Sequence, residues 1–593
     1  MSSKDTSEEM QEGQLFGILK NGSRFPVPNT MSVMKTLLSP KSWESPATLI
    51  WIAAWVAVGL TTVLYFKGYL PLWFFCVQFA FWRLAYNIGI GMMLHYQSNG
   101  GHFLAFYKSA MAKYPRLRSF LEASVVFADN SEYKSTAFPD EFNAWMLFRQ
   151  IENVILANDL MSYAVLSVVC WEKMTFSIVD TACFLIGSLS IVFALWSKSD
   201  AHRVIGDFAW YWGDFFFLLD VNLTFDGIFQ MFPHPMYTVG YAFMYGVPLM
   251  AKSYTLFYMS VFGHLCQLAF LAFVENPHID RTYMQMVQPE EEELRRKEVL
   301  YGNQDKEAYL DPDELVVFLH FNTFRASDLL LALVVLYQCA TLLFPIPAWA
   351  YVFHCVLWRA FHSCFLGYIL RRQSDDKWFS RHYDSPQRAF NNWKRIYNAS
   401  VTLTNLSYVY CAIKLFQWSV PFFEGNETRI FLIVVGILLI GVNAYVSLSI
   451  YNSLGDYGYF YGDFFIDDVV PSLDYSGVYR YLNNPDTSLG LSAFYGIALI
   501  SGSGIVLVLA IVSHLSIKLF EVLVEKPHMR KLHGAQLRQM GGLQTEVRRR
   551  VNESKAEYEK KLDNLKGMMG EKKVVYDKIK EKIANTVCKE KEA

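Results

Sequence analysis

Charged residues are scarce in this sequence of 593 residues, since Asp, Glu, Lys and Arg together make up only 18%. A soluble chain of this length usually carries about 25% charged residues. Hydrophobic residues reach 53% and aromatic residues 16%, which is typical of a protein with many membrane-spanning segments. The net charge of −2 and the lack of a basic stripe with interleaved aromatic residues argue against a nucleic-acid partner.

Disulfide, metal-site and signal-peptide patterns are also missing. The nine cysteines stand apart, with no CxxC pair and no Cys/His cluster at metal-ligand spacing, so neither a disulfide framework nor a metal site is indicated. The opening segment, MSSKDTSEEMQEGQ, is polar and acidic and lacks the basic start and apolar core of a cleaved signal peptide. We expect the first membrane span to act as the targeting signal.

Apolar runs long enough to cross about 30 Å of hydrocarbon recur in closely spaced pairs. Short links join the members of a pair, whereas long charged segments join one pair to the next. The predicted spans are 47–66, 70–94, 151–169, 176–196, 236–250, 254–274, 329–344, 348–370, 400–420 and 430–450, and a final run, 488–524, that holds two. The positive-inside rule places the long basic segments and both termini in the cytosol. The sequence thus predicts an all-α polytopic membrane protein with about twelve transmembrane helices.

The second half of the chain repeats the first. The matching pairs include Trp82-Arg83 with Trp358-Arg359, Gln97-Ser98 with Gln373-Ser374, Gly206 with Gly455, Asp214 with Asp463, Pro235 with Pro485, Gly240 with Gly490, Gly246 with Gly496, His264 with His514, Glu275 with Glu525 and His278 with His528. Register is kept over about fifty residues without a gap, which chance does not give. We therefore predict two parallel six-helix repeats. This weighs modestly against a carrier, because many secondary transporters use inverted repeats.

These patterns divide the chain into five segments. They are a cytosolic N-terminal segment (1–46), a first repeat (47–300), a cytosolic linker (301–328), a second repeat (329–530) and a charged tail (531–593). In the tail, apolar residues such as Val547, Val551, Tyr558, Leu562 and Leu565 recur at three- to seven-residue steps, which predicts an amphipathic helix. That helix would form a short coiled coil, lie on the membrane surface or stay solvated, and the coiled coil would allow homo-oligomers.

Chemistry-bearing residues gather near the end of the first repeat. His234 and Tyr237 open the fifth span and share one helical face. Gly240 and Gly246 permit close approach of a ligand or of a neighbouring helix. His264 lies inside a span, where an ionisable group is costly and functional by default, although it could equally hydrogen-bond between helices.

The His-Pro-x-Tyr-x-x-Gly opening, the hydrophobic hairpin after it and the Val-Glu-Asn-Pro-His exit resemble the membrane methyltransferases that include phospholipid and isoprenylcysteine carboxyl methyltransferases. The doubled Gly-Asp-Phe-Phe and Glu-x-Pro-His elements resemble the large tandem phosphatidylethanolamine N-methyltransferases of fungal type, over about residues 45–535. The resemblance implies an endoplasmic reticulum enzyme. It would transfer methyl from S-adenosylmethionine to phosphatidylethanolamine, giving the monomethyl lipid as the first step of phosphatidylcholine synthesis by methylation.

Carried onto this sequence, the resemblance assigns donor binding to the opening and the exit. The residues concerned are His234, Pro235, Tyr237, Gly240, Gly246, Glu275 and His278. Methylation of an amine needs a base, and positive sulfur and nitrogen centres favour carboxylates and aromatic faces. We predict Glu275, Asp214 and His264 as catalytic residues, with the identity of the base left open. Asp207, Trp212 and Asp214 are predicted to bind substrate, and no metal is needed.

Plain structural roles stay open beside these. His234 could cap a span, Asp207 and Asp214 could satisfy helix N-termini, and the aromatic residues around Trp212 could form an interfacial belt. In the second repeat, the positions of His234 and Tyr237 hold Asn and Thr. We therefore predict one working site, in the first repeat.

Two other functions stay open. Methylation of another membrane-embedded acceptor, such as a prenylcysteine carboxylate, would need no amine base and would favour a basic clamp. A non-enzymatic lipid carrier or scaffold would not bind S-adenosylmethionine tightly, and nothing in it would require the His-Pro-x-Tyr sequence.

Overall fold

The computed structural model describes most of both repeats. It covers residues 15–30, 45–128, 131–172, 177–220, 226–283, 317, 321–420, 425–466 and 477–534, with residues 545, 548, 549 and 552 isolated beyond them. The amphipathic tail helix, most of the 301–328 linker and the opening fourteen residues lie outside this part of the chain. The predictions made for them stay predictions.

Helices make up nearly all regular structure of the first repeat. They are α1 (Pro46–Phe66), α2 (Leu72–Leu84), α3 (Gly91–Gly100), α4 (His102–Lys113), α5 (Pro115–Ser124), α6 (Asp140–Val169), α7 (Ile178–Trp210), α8 (Ala242–Ala251), α9 (Tyr254–Phe270) and α10 (Asn276–Tyr283). Local sequence sets their starts: Ser45 caps α1 by accepting a hydrogen bond from Thr48 N, and Ser253 caps α9 in the same way through Leu256 N.

The second repeat has the same order of long helices. They are α11 (Ala326–Thr341), α12 (Ala348–Ala360), α13 (Leu366–Asp376), α14 (Pro386–Lys414), α15 (Asn426–Tyr459), α16 (Ser492–Ser501), α17 (Gly504–Phe520) and α18 (Lys526–His533). Short 3-10 turns at Gly213–Phe215 and Val239–Tyr241 recur at Gly462–Phe464 and Leu489–Leu491. The sequence repeat is therefore also a structural repeat.

π-helical turns join several of these helices at equivalent places in the two repeats. Ala85–Ile90 links α2 to α3 and Phe361–Phe365 links α12 to α13. Leu271–Glu275 links α9 to α10 and Glu521–Glu525 links α17 to α18. A π turn accommodates an extra residue inside a helix and re-aims the side chains around it, and such turns are frequent at functional sites.

Six described helices are long and apolar enough to cross a membrane, judged by length and composition. They are Pro46–Phe66, Asp140–Val169, Ile178–Phe215, Tyr254–Thr282, Asn426–Phe464 and Gly504–Leu532. The prediction of an all-α polytopic membrane protein is confirmed. Every predicted span overlaps a helix, although 236–250 begins before α8 and 400–420 extends beyond α14. Several of these helices are shorter or more polar, so the count of twelve spans stays a prediction.

One helix begins well before the predicted span. The apolar run predicts a start near Ile151, whereas α6 begins at Asp140. Its first turns bury Asn143, Arg149 and Glu152, so the helix continues where the apolar run does not. Hydropathy detects segments that face lipid, and it misses helical turns whose polar side chains pack inside the protein.

A small sheet accompanies the helices. Strands β1 (Phe16–Ile18), β2 (Arg24–Pro26) and β3 (Leu218–Leu219) pair antiparallel in the order β2-β1-β3. The ring of Phe25 packs against Phe142 and Phe217 at 6.0 and 5.1 Å between centroids. The sequence pattern does not predict this sheet, because strands of two or three residues are too short to show periodicity.

The chain divides into two compact units, Met1–Glu314 with Trp418–Val434 and Leu315–Gln417 with Val435–Ala593. Each unit has its own aromatic core, and one hydrogen bond recurs in both. Trp145 of α6 donates its indole N–H to the carbonyl of Tyr211 at 3.1 Å, and Trp393 of α14 donates to Phe460 at 3.0 Å. These bonds fix the turn that carries the Gly-Asp-Phe-Phe sequence.

Candidate active site

Two unusual backbone conformations shape the end of α7 and the turn after it: a kink at Gly206 inside the helix and a left-handed residue at Trp212. Gly206 has φ 65° and ψ −177°, which glycine adopts easily and other residues do not. Trp212 follows in the left-handed region at φ 49° and ψ 43°. Gly455 and Tyr461 repeat both conformations in the second repeat. The redirected chain brings the indole of Trp212 to the end of α9.

Glu275 is held there by two donors. Tyr237 donates its phenol O–H to Oε2 of Glu275 at 2.6 Å, and Trp212 donates its indole N–H to the same oxygen at 3.1 Å. Glu275 is the last residue of the π turn Leu271–Glu275. Hydrogen bonds to a carboxylate are stronger than neutral ones, so this trio is a rigid acidic and aromatic group. The structure thus joins three predicted residues that lie far apart in sequence.

His278 forms a second group beside the first. Its ring stacks on Phe215 at 3.6 Å between centroids, and its Nδ1 lies 2.7 Å from the Ser98 hydroxyl. Its Nε2 lies 3.6 Å from Oδ2 of Asp214. The predicted residues Asp214 and His278 are therefore neighbours, whereas Ser98 and Phe215 are contacts of His278 that were not predicted from the sequence.

The second repeat builds the same group from its own residues. His528 stacks on Phe464 at 3.6 Å, its Nδ1 lies 2.7 Å from the Ser374 hydroxyl, and its Nε2 lies 3.6 Å from Asp463. The sequence elements that match between the repeats are thus the elements that meet in space. Because both repeats keep this group, we expect it to stabilise the local structure in addition to any role in the site.

His264 lies behind the opening and uses both ring nitrogens. Nε2 lies 2.9 Å from the carbonyl of Tyr237 and Nδ1 lies 2.7 Å from the hydroxyl of Tyr245. Because a carbonyl only accepts, Nε2 carries the proton and Nδ1 accepts from Tyr245. His514 keeps the equivalent contact with Tyr495 at 2.8 Å. This favours the interhelical hydrogen bond over the base among the two roles left open for His264.

The opening itself is a tight turn and not the first turn of a helix, so the helical face predicted for His234 and Tyr237 is wrong. The carbonyl of His234 accepts from Tyr237 N at 2.8 Å, and that of Pro235 accepts from Gly240 N at 2.8 Å. His234 has a positive φ of 43°, and a Cβ at Gly240 would lie 2.9 Å from the Pro235 carbonyl. The turn therefore needs glycine at position 240, and it projects Tyr237 towards Glu275.

Gly246 lies at a helix crossing instead. A Cβ there would lie 2.6 Å from the carbonyl of Gly187 on α7, and Gly496 makes the same approach to Gly436 at 2.5 Å. Of the two roles that the sequence allowed, the structure therefore supports contact with a neighbouring helix. Donor binding by Gly246 stays a prediction.

Asp207 is not with the other predicted residues. Its carboxylate lies 2.7 Å from Nε2 of His202, 3.2 Å from the Thr30 hydroxyl and 3.7 Å from Arg149. These contacts tie the end of α7 to neighbouring segments and favour the structural alternative. Substrate binding by Asp207 stays a prediction.

The second repeat differs at the opening. Asn484 and Thr487 replace His234 and Tyr237, and Asn484 bonds to Glu521. Lys518 and Lys526 also contact Glu521, at 2.6 and 2.9 Å. No tyrosine therefore reaches Glu525 from this turn, and a lysine–glutamate cluster stands beside the opening.

Several buried polar residues of the first repeat were missed as site residues. Arg83, Asn87, Glu152, Asp159, Lys198, Tyr241 and Gln267 are buried or half-buried near the trio. The signal that could have found them is charge inside long helices, because such residues in membrane segments are functional by default. All of them except Lys198 lie inside the predicted spans, where they were counted as parts of apolar runs.

A family model for phospholipid methyltransferases matches the chain twice, at residues 182–286 and 431–536. Each match covers the segment from α7 or α15 to the Glu-x-Pro-His exit. The first matched segment thus contains Trp212, Tyr237 and Glu275, and the second is its counterpart in the second repeat. No solved structure matches the chain significantly.

Curated fungal proteins match nearly the whole chain. A protein of Paracoccidioides lutzii is 35% identical over 93% of this chain, one of Ajellomyces dermatitidis is 36% identical over 92%, and one of Trichophyton verrucosum is 37% identical over 90%. All three are named phosphatidylethanolamine N-methyltransferase. This chain spans 60%, 59% and 58% of their respective lengths.

Proposed function

We propose that this chain, both of whose repeats match the family model for phospholipid methyltransferases, methylates the amine of phosphatidylethanolamine, with S-adenosylmethionine as donor. The product is phosphatidyl-N-methylethanolamine. The observation that carries the proposal is the trio of Trp212, Tyr237 and Glu275, in which a carboxylate and two aromatic rings converge beside the turn that the resemblance assigns to the donor.

The residues present fit a sulfonium donor. Its positive sulfur and the substituted ammonium that forms are both stabilised by carboxylates and aromatic faces. Glu275 accepts both of its hydrogen bonds at Oε2, so neither of these bonds engages Oε1. We place the donor against His234, Pro235, Tyr237, Gly240 and Glu275, with His278 supporting the group from behind.

The reaction requires one proton transfer and one methyl transfer. The ammonium of the head group first loses a proton to a base. The nitrogen lone pair then forms the bond to the methyl carbon while the carbon–sulfur bond breaks and its electron pair stays on sulfur. Positioning of nitrogen, methyl and sulfur in line supplies much of the rate. Glu275 and Asp214 are the candidate bases that the geometry favours, since His264 has both nitrogens engaged.

We also propose a place and orientation for the enzyme. It lies in the endoplasmic reticulum membrane with both termini in the cytosol, as the positive-inside rule indicates. The lipid then enters from the bilayer and the donor from water. An oligomer through the tail helix is part of the same proposal.

Transfer of labelled methyl from S-adenosylmethionine to lipids by the purified protein tests the function. We expect label in the monomethyl lipid when phosphatidylethanolamine is supplied, and a large loss of label in a His234→Ala variant. Asn484→Ala, the matched change in the second repeat, should retain activity. Label that appears only with a prenylcysteine acceptor would show that the substrate is that acceptor and not phosphatidylethanolamine. If a folded protein transfers no label to any acceptor, the proposal that it is a methyltransferase is refuted.

A conservative change at His264 tests its role. We expect His264→Gln to lower the rate by less than about tenfold, because the amide can still bridge the Tyr237 carbonyl and Tyr245. Loss of a general base costs about 10²- to 10⁴-fold. A loss in that range, with donor affinity and thermal stability unchanged, would contradict this assignment and restore His264 as the base.

A further inference from the structure

A polar cluster lies inside the helices of the first repeat, next to the trio. Arg83 of α2 is only 4% exposed. Its guanidinium contacts Asp159 of α6 at 2.6 Å and Tyr241 at 3.1 Å. Tyr241 donates to Gln267 at 2.9 Å, which also accepts from Asn87 at 2.8 Å. Ionisable groups in membrane helices are costly and mark substrate sites or pathways.

Parts of this cluster have no partner. Arg83 Nε, Asn87 Oδ1, Asp159 Oδ1 and Gln267 Nε2 are buried without a hydrogen bond, as is Oε2 of Glu152. Glu152 is 1% exposed and lies two helical turns before Asp159 on the same face of α6. Most buried polar atoms in proteins are hydrogen-bonded. So many unused donors and acceptors at one place indicate a polar ligand.

Lys198 adds a second cation. Its Nζ lies 5.3 Å from the ring centre of Tyr241 and 4.7 Å from that of Phe243, and it makes no ion pair with a described residue. Its side chain runs along the opening, since a Cβ at Gly240 would meet Lys198 Cγ at 3.2 Å. The cluster thus contains two cations and two carboxylates, and its charges suit a zwitterion.

The cluster adjoins the trio at two points. The Arg83 guanidinium lies 5.9 Å from the ring centre of Tyr86, and that ring lies 6.3 Å from Trp212. On the other side, the His264 ring stacks on Tyr241 at 4.8 Å and bonds the carbonyl of Tyr237. A single side chain, Tyr86 on one side and His264 on the other, therefore separates the cluster from the trio.

The second repeat lacks this cluster. The matched positions of the second repeat hold Ser363, Ser400, Thr404, Ser447, Leu491 and Ile517 where the first repeat has Asn87, Glu152, Asp159, Lys198, Tyr241 and Gln267. Only the arginine is kept, as Arg359, whose Nε and one terminal nitrogen have no partner. The fold therefore does not require the cluster, which separates it from the groups around His278 and His264 that both repeats retain.

We propose that this cluster binds the zwitterionic head group of the lipid substrate, with Arg83 and Lys198 facing the phosphate and Glu152 facing the ammonium. The inference rests on the proposed function for the identity of the lipid. Asp159 and Tyr241 hold the Arg83 guanidinium, and its unused Nε is the donor left for a phosphate oxygen. The ammonium is then presented towards Glu275 and the donor.

Direct lipid binding tests the inference without relying on turnover. Lys198→Met and Glu152→Gln are made in the full chain, and binding is measured with three lipids: phosphatidylethanolamine, phosphatidic acid and a long-chain primary amine. Loss of a hydrogen bond between charged groups costs about 1.5–3 kcal/mol, or roughly tenfold or more in affinity. Both variants should bind phosphatidylethanolamine at least tenfold more weakly. Of the other two lipids, Lys198→Met should weaken the binding of phosphatidic acid and leave that of the amine unchanged. Glu152→Gln should weaken the binding of the amine and leave that of phosphatidic acid unchanged.

Two controls keep the result specific. Ser447→Ala and Ser400→Ala, at the matched positions of the second repeat, should leave all three affinities unchanged. Donor affinity and thermal unfolding of every variant report folding, and Glu152→Met is a second variant at that position. Normal lipid affinity in the folded variants would overturn the inference. A protein that binds the lipid as described but transfers no methyl would instead refute the proposed function and leave the binding site in place.

Discussion

Replacement of Glu275 by glutamine is expected to lower the rate of methyl transfer by about 10²-fold or more, the usual loss when a charge-stabilising group is removed from an active site. The amide keeps a carbonyl oxygen for Tyr237 and Trp212, which now donate to Oε2 at 2.6 and 3.1 Å. The shape of the trio is thus preserved and its negative charge is lost. Initial rates and donor affinity of the purified variant measure the effect.

The repeat supplies the matched control for this change. Glu525→Gln makes the same substitution at the end of the π turn Glu521–Glu525. In that repeat, Thr487 stands at the position of Tyr237. The rate of this variant should stay within about twofold of the wild type, a change too small to reflect lost stabilisation of charge. Equal losses in both variants would show that each repeat contributes to catalysis. Full activity in Glu275→Gln would remove this residue from the site.

Alanine at Gly246 is expected to destabilise the folded protein by about 1–3 kcal/mol, the usual cost of overpacking. The added Cβ would lie 2.6 Å from the Gly187 carbonyl and 3.0 Å from Ser190 Cβ. Neither neighbour is the end of a flexible side chain, so α7 and α8 must move apart. Thermal unfolding in detergent should show a loss of several degrees.

Gly496→Ala tests whether the effect comes from helix packing. Its Cβ would lie 2.5 Å from the Gly436 carbonyl, so packing predicts a similar loss of stability in the second repeat. If Gly246 instead contacts the donor, Gly246→Ala would weaken donor binding with little change in unfolding temperature, and Gly496→Ala would not. The two readouts separate the two roles.

Local patterns predicted the helices well and their ends less well. Apolar runs located all six described helices that are long and apolar enough to cross a membrane, because a helix that faces lipid must be apolar over its whole exposed surface. They failed at α6, whose first turns face protein, and they did not predict the sheet of β1, β2 and β3. Both departures depend on contacts with distant segments, which the local composition does not report.

The sequence predicted which residues form the site, but not which of them contact each other. Trp212, Tyr237 and Glu275 were all named, yet only the fold shows that one carboxylate oxygen joins them. Gly246 and His264 could not be separated from ligand-binding residues in the sequence, because close packing and interhelical hydrogen bonds select the same residue types as ligand contact. The polar cluster around Arg83 was missed because its members come from separate parts of the chain: α2 with the π turn after it, α6, α7, the turn Val239–Tyr241 and α9.

The sequence by itself determined that this is an all-α membrane protein with a tandem repeat, and which family of enzymes the chain resembles. These follow from composition, from spacing and from residues that recur in register, all of which are properties of the chain alone. Only the tertiary structure decided which of those residues meet, since the π turns and the left-handed Trp212 set side-chain direction after the chain has folded. It also decided which charges are buried without partners, because burial depends on neighbours that lie far away along the chain.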